Sequence, residues 1–316
     1  IVMLYAATGN FTFAGIAEQS SHTDKPALLV LGVVFVVIGL LFKIGAVPFH
    51  SWVPDVYQGA PTPVTAFMAI CTKLAAVAAL ARVLTVAVPL NESQWEVVIV
   101  VLAIISMLFG ALLTMTQTDV KRLIAYSSIT HAGFIMTALV GAHQGLLKVG
   151  SLEFSVVSSV LIYLAAYGLA TIGAFAIVTV VRRESGEEAT AISAWEGIGR
   201  QHPWLGAAFA LYFLSFAGIP LTAGFIGKFT VFAVPWLAGY SWLVVVALLV
   251  SALAAYAYVR MIIVMFFKRP NVTTVVAKPG AAVSIVVVIT AILTVLMGIL
   301  PGPVLGLANS LGGFLM

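Results

Sequence analysis

Three lysines stand where lysines are costly. Lys43 lies in ALLVLGVVFVVIGLLFKIGAVPF, Lys73 in VTAFMAICTKLAAVAAL and Lys228 in FLSFAGIPLTAGFIGKFTVF. An ammonium deep in an apolar helix costs roughly 2.5–3.5 kcal/mol on insertion scales, so it faces a polar interior or sheds its proton. A lysine that snorkels to the interface is the bland alternative. That alternative fits Arg82 and Arg260, near helix ends, but not Lys73, which has apolar sequence on both sides. His131 adds a group that gains or loses a proton near neutral pH. It sits in LIAYSSITHAGFIMTALVG, where Ser127, Ser128, Thr130 and His131 form a polar cluster. Beside buried lysines it reads as a relay member. His50, in PFHSWVPDVYQGAP, reads as an entrance group. His22, His143 and His202 fall in loops and receive no role.

Two of the lysines lie beside predicted helix breaks. Gly45 and Pro48 follow Lys43, and Gly218, Pro220 and Gly224 precede Lys228. Proline removes a backbone donor, and in lipid the freed groups must be satisfied by protein or water. A broken apolar helix in each half of a transporter marks a midplane site, commonly within inverted repeats.

These residues need spanning helices to position them. Of 316 residues, 62% are hydrophobic and 8% charged, against roughly a quarter charged in a soluble domain. That excludes a soluble globular protein, a disordered one and a nucleic-acid binder; the net charge is only +4. Cys71 is the single cysteine, which excludes a disulfide framework, a structural zinc site and a thiol pair. Apolar stretches at 27–49, 64–88, 96–117, 121–142, 154–181, 204–237, 240–267 and 281–300 are each long enough to cross. Residues 1–8 read as the tail of a further helix. Ile1 is followed by no basic segment or cleavage site, so the sequence predicts a fragment of a longer chain. No strand alternation suggests a β-barrel. The fold class is an all-α polytopic membrane protein, with residues 1–316 as a single transmembrane domain: the end of one helix plus eight full spans.

Loop charge gives an orientation. The connections near 50–63, 117–121, 182–203 and 268–280 hold Lys121, Arg122, Arg182, Arg183, Arg200, Lys268, Arg269 and Lys278. Those near 9–26, 88–95, 142–153 and 236–240 hold only Lys25 and Lys148. The first set is placed in the cytoplasm and the C-terminus outside. The charged 182–202 loop is expected to lie solvated at the surface. Neither GxxxxGK[ST] nor GxGxxG occurs, so no nucleotide site is read, and one cysteine cannot hold an iron–sulfur cluster. The chain is expected to carry protons or cations, not electrons.

Three tracts carry a family resemblance. KIGAVPFHSWVPDVYQGAPTPVTAF at 43–67, TQTDVKRLIAYSSITH at 116–131 and FLSFAGIPLTAGFIGKF at 213–229 resemble the antiporter-like membrane subunits of respiratory complex I. Within that group DVYQGAP, and Lys73 in AICTKLAAV, are similar to the subunit N branch rather than to L and M. The resemblance implies fourteen helices in two inverted repeats, an antiporter-like bundle with two broken helices, of which this chain would be the C-terminal two thirds. It also implies that Lys43, Lys73 and Lys228 are the buried lysines of the seventh, eighth and twelfth helices, and His131 the histidine of the tenth. The family's glutamate partner of Lys43 would lie before residue 1.

The expected function is a proton-translocating subunit of NADH:quinone oxidoreductase in a bacterial inner membrane. Redox chemistry would belong to other subunits, holding flavin, iron–sulfur clusters and quinone, with no cofactor in this chain. Expected partners are the neighbouring antiporter-like and small membrane subunits and lipid, with no nucleic acid. The alternative is an antiporter subunit of an Mrp-type Na⁺/H⁺ exchanger or a membrane-bound hydrogenase. A purely structural scaffold is disfavoured by three costly lysines.

Overall fold

The structure is a computed structural model that describes residues 1–87, 92–141, 147–149, 152–270 and 274–315. His143 lies outside the described residues, as do parts of the connections at 88–95 and 142–153. Two short helices come first, α1 (Val2–Thr8) and α2 (Phe13–Ser20), followed by α3 (Pro26–Ile44) and α4 (Trp52–Gly59). Next is one long helix made of α5 (Thr62–Phe67), a π-helical turn at Met68–Thr72, α6 (Lys73–Arg82) and a second π turn at Val83–Ala87. Then come α7 (Glu92–Thr116), α8 (Val120–Leu139) and α9 (Val156–Val178). After α10 (Ile198–Gln201) the chain continues through α11 (Pro203–Ala217), α12 (Ala223–Leu237), α13 (Ser241–Phe267), α14 (Ala281–Ile299) and α15 (Pro301–Leu315). The protein is a multi-pass, all-α membrane bundle.

Six helices among the described residues are long and apolar enough to cross a membrane. The stretch at 204–237 is no continuous span: α11 and α12 are half-helices. Likewise the span from Pro26 stops at Ile44 and resumes in α4. Burial ranks the rest. α8 is buried from Val120 to Leu139 except at Arg122 and Tyr126, and α9 is buried along most of its length, so these two form the core. By contrast α3 and α14 bury only a few residues each. Helix starts follow ordinary capping chemistry. The Asp119 side chain accepts from the Arg122 N–H at 3.0 Å, and Ser155 and Ser158 form a reciprocal capping box.

The charged loop after α9 meets its expectation only in part: residues 182–187 lie exposed at the surface, but the loop is a folded cap. β3 (Val181–Arg183) pairs antiparallel with β4 (Thr274–Val276), Val181 opposite Val276. A second small antiparallel pair joins β1 (Leu147–Val149) and β2 (Leu152–Phe154). The backbone of Val120 donates to Thr190 (2.7 Å) and that of Ile192 to Thr118 (2.8 Å), stitching the cap to the start of α8. Trp195 is 0% exposed, packs on Phe209 and donates its indole N–H to the Ala189 carbonyl. Glu188 turns inward, accepting from the Thr62 hydroxyl (2.5 Å) and pairing with the buried Lys121 ammonium (3.5 Å). The charges of 182–188 suggested a wet loop, but the apolar residues Ile192, Ala194, Trp195 and Ile198 behind them anchor it.

Trp195→Ala should therefore cost about 3–5 kcal/mol of packing. The expected outcome is a marked rise in protease cutting between residues 181 and 202 in membrane vesicles, with the spans left intact.

Candidate functional site

Both helix breaks are built alike. Gly45 and Gly218 each adopt φ 81°, a left-handed conformation open to glycine. Each N–H reaches back to close the last turn: Gly45 to Leu41 and Phe42, Gly218 to Leu214 and Ser215. The next residue bonds the first of those carbonyls again, Ala46 to Leu41 and Ile219 to Leu214, which is a Schellman termination. At the second break Leu221 sits at φ 73°, held against α14 where a Cβ on Gly298 would collide with its backbone. Gly224 lets the first turn of α12 lie directly on the last turn of α11, since a Cβ there would overlap the Ser215 carbonyl.

That arrangement carries Lys228 back over the end of α11. Its Nζ donates to the carbonyl of Ala217, the last residue of α11, at 2.8 Å and to the Ser251 hydroxyl of α13 at 2.6 Å. The negative end of the half-helix dipole thus faces the ammonium. Lys73 is placed differently. The π turn at Met68–Thr72 ends at it, and such turns recur at functional sites. Its Nζ donates to the Ser128 carbonyl of α8 at 2.8 Å and also to the Ser128 hydroxyl. Both lysines are buried, and both are held by neutral oxygens, with no carboxylate partner among the described residues.

His131 lies between them, buried on α8. Nδ1 is 2.5 Å from the Tyr163 hydroxyl of α9, and Nε2 is 3.4 Å from the Tyr258 hydroxyl of α13. Tyr258 in turn meets the Ser127 hydroxyl at 2.6 Å. One aromatic ring separates the histidine from each lysine. Tyr167 packs on His131 with centroids 4.7 Å apart and carries Lys73 Nζ 5.4 Å from its own centroid. Phe134 meets His131 at 5.8 Å and Lys228 at 5.3 Å. A cavity of about 10 Å³ touches His131, Tyr167, Ser215 and Lys228, room for about one water. On its outer side Lys228 also borders a groove of about 680 Å³ between α12 and α13. The arrangement can pass a proton between bases; among the described residues no cluster of three or more His, Cys, Asp or Glu suits a metal ion.

A model of the family described as NADH:quinone oxidoreductase/Mrp antiporter, TM, matches residues 1–254. The chain belongs to that family. It is 46% identical over 319 residues to NADH-quinone oxidoreductase subunit N of Cutibacterium acnes, covering all of this chain and 59% of that one. It is 47% identical over 317 residues to the subunit N of Rhodococcus opacus, covering 99% and 56%. The chain thus spans less than two thirds of the length of these curated relatives. A chain of respiratory complex I from Thermus thermophilus with bound aureothin superposes at TM-score 0.79 with 35% identity, over 96% of this chain and 63% of that one. A chain of the Mrp complex from Dietzia sp. superposes at 0.84 over 99% of this chain and 64% of that one. At 19% identity, that likeness speaks for the fold alone.

In this NADH:quinone oxidoreductase/Mrp antiporter chain, the structure gathers Lys73, His131 and Lys228, and leaves Lys43 outside. Lys43 is exposed at the next-to-last position of α3, a helix with few buried residues, and among the described residues no hydrogen bond or ion pair connects it to the axis. Its proximity to a break was legible, but the face it occupies was not. His50 is half-buried between α3 and α4, its ring edge-on to Phe109 at 4.6 Å. The arginines do more than snorkel. Arg260 donates to the carbonyls of Met115 (2.7 Å) and Gln117 (3.2 Å), binding the C-terminal end of α7, and Arg82 lies over the Phe13 ring at 5.3 Å. Sequence reading missed Tyr163, Tyr167, Tyr258, Ser215 and Ser251. Only the i, i+4 tyrosine pair of α9 left a trace there.

Ser251→Ala removes one of two oxygens that hold Lys228. A hydrogen bond to a charged group is worth roughly 1.5–3 kcal/mol, so, on the reading that Lys228 relays protons, proton-transfer turnover should fall about tenfold or more while assembly is retained. Proton uptake assays on reconstituted vesicles check this.

Proposed function

We propose that this chain is a proton-translocating, antiporter-like subunit of a membrane NADH:quinone oxidoreductase, of the subunit N type. Lys73, His131 and Lys228 form its central relay. The observation that carries the reading is the pair of buried lysines held only by neutral oxygens on either side of a hydrogen-bonded histidine. The identities of 46% and 47% to subunit N relatives support this type over the Mrp exchanger, to which the likeness is one of fold. On this reading the chain is one transmembrane unit of a multi-subunit complex. Flavin, iron–sulfur and quinone chemistry then falls to other subunits, and lipid and neighbouring antiporter-like subunits surround it.

The physics of transfer follows from what the lysines lack. With no counter-ion among the described residues, each charge is held by dipoles alone, which stabilise an ammonium less than a carboxylate would and leave its proton easier to release. Two like charges in a poorly screened interior repel strongly, so a proton arriving at Lys73 disfavours one already on Lys228. His131 and one water supply the path between them, and the groove beside Lys228 supplies the exit side. His50 is assigned to entry, and Lys43 to an earlier step outside this core.

Lys73→Ala and Lys228→Ala should each lower pumping and coupled quinone reduction by about a hundredfold, the lower range for a positioned acid or base. Assembly and NADH oxidation by an artificial acceptor should be unaffected. Lys228→Arg should fail similarly, because guanidinium does not release its proton. Arg82→Gln should pump normally. Wild-type pumping in both alanine variants would refute the relay.

The Lys/Arg-rich end, including the 181–202 cap, is assigned to the cytoplasm by the positive-inside rule. In a Cys71→Ala background, Glu187→Cys should resist an impermeant thiol reagent in intact cells and Gly302→Cys should react. The opposite pattern would reverse the orientation.

A further inference from the structure

A groove of about 510 Å³ runs along the outside of the bundle between α5, α9 and α14. Its walls are apolar, with Ile172 and Phe175 of α9 facing Val283 and Val286 of α14. Its mouth is cationic. Arg182, just past α9, and Lys278, just before α14, both line it and both are exposed. Neither has a carboxylate partner among the described residues. Arg182 donates instead to the carbonyls of Thr179 (3.2 Å) and Gly186 (2.8 Å), which orient its guanidinium without neutralising it.

Position decides what such a groove meets. α9 and α14 are both membrane spans, and the two cations sit where those spans end, at the depth of lipid headgroups. The first turn of α14 opens at the same place, with Gly280 as an N-cap that offers no side-chain acceptor. Its first N–H groups and the positive end of its dipole therefore add to the two side-chain charges. Below that level the branched and aromatic walls face hydrocarbon.

We propose that this groove binds an anionic phospholipid, its phosphodiester held by Arg182, Lys278 and the first turn of α14, and an acyl chain lying between α9 and α14. Charge complementarity selects this occupant. A zwitterionic lipid carries its own cation, and a free phosphate has nothing to fill the apolar length of the groove. Because β3 and β4 bring Arg182 and Lys278 together through their antiparallel pairing, the lipid also bridges the cap to the last span.

The test uses the assembled complex that contains this chain, placed in nanodiscs with photoreactive phosphatidylglycerol or with phosphatidylcholine of identical acyl chains. Peptide mass spectrometry maps the crosslinks. Phosphatidylglycerol should label α9 and α14 at the groove, and phosphatidylcholine should not. Arg182→Gln with Lys278→Gln should weaken capture about 25-fold, about fivefold per cation, while labelling elsewhere is unchanged. Val283→Trp, which fills the groove and keeps both charges, should abolish capture there. Equal labelling by the two lipids in the wild-type complex would overturn the site whatever the variants do. So would capture that survives the double charge substitution, or displacement by inorganic phosphate alone.

Discussion

An ammonium out of reach of bulk water must be surrounded by oxygens that the protein itself provides. Much of the bundle's irregularity answers that requirement. A continuous α11–α12 helix would keep the Ala217 carbonyl inside its own ladder; breaking the helix frees it for Lys228. The break is itself demanding. It needs Gly218 at positive φ, Gly224 for the close approach of the two halves, and α14 packed against Leu221. Lys73 reaches the same end without a break. The π turn ahead of it sets the side chain against α8, where Ser128 offers both its carbonyl and its hydroxyl.

Interrupted helices leave short halves that must be fixed from outside, and the polar end of the bundle does this. Arg122 joins α8 to α4 through Asp55 (2.7 Å) and Gln58 (3.0 Å), and Gln58 donates onward to Asp119. Lys121 holds the Ala60 carbonyl just past α4 at 2.9 Å. The half-helix that follows the first break is thereby tied to the most buried helix of the protein. Glu188 of the cap completes this set, so the charged loop and the broken helix belong to one mechanical unit. Exposed ion pairs contribute little to stability; the Lys121–Glu188 pair, with the lysine 3% exposed, is a different case.

The sequence displayed the elements whose cost is local. An apolar run long enough to span, a glycine before a proline, and a lysine with nothing polar around it are each legible residue by residue. Lys73, His131 and Lys228 were singled out on that basis, and the structure places them around one buried cluster. Partners contributed from distant helices were not legible. Tyr163, Tyr167 and Tyr258 look like ordinary residues of apolar helices, and only tertiary packing turns their hydroxyls and rings toward His131. The same blindness hid the exposure of Lys43, because a strongly apolar helix such as α3 gives no clue to which face is covered. It also hid the anchored half of the cap, where a run of exposed charges masked the buried Trp195.

The number of acceptors around each lysine has a consequence for how little the site must rearrange. Lys73 and Lys228 each meet two protein oxygens, and an ammonium has three N–H groups. A neutral amine keeps two. Deprotonation can therefore leave both existing hydrogen bonds in place and convert only the third direction from donor to lone pair. The oxygens need not reorient to follow the charge. In the proposed relay each lysine would be a valve with two fixed hinges and one working edge, and the proton that travels would be the one that no protein oxygen accepts among the described residues.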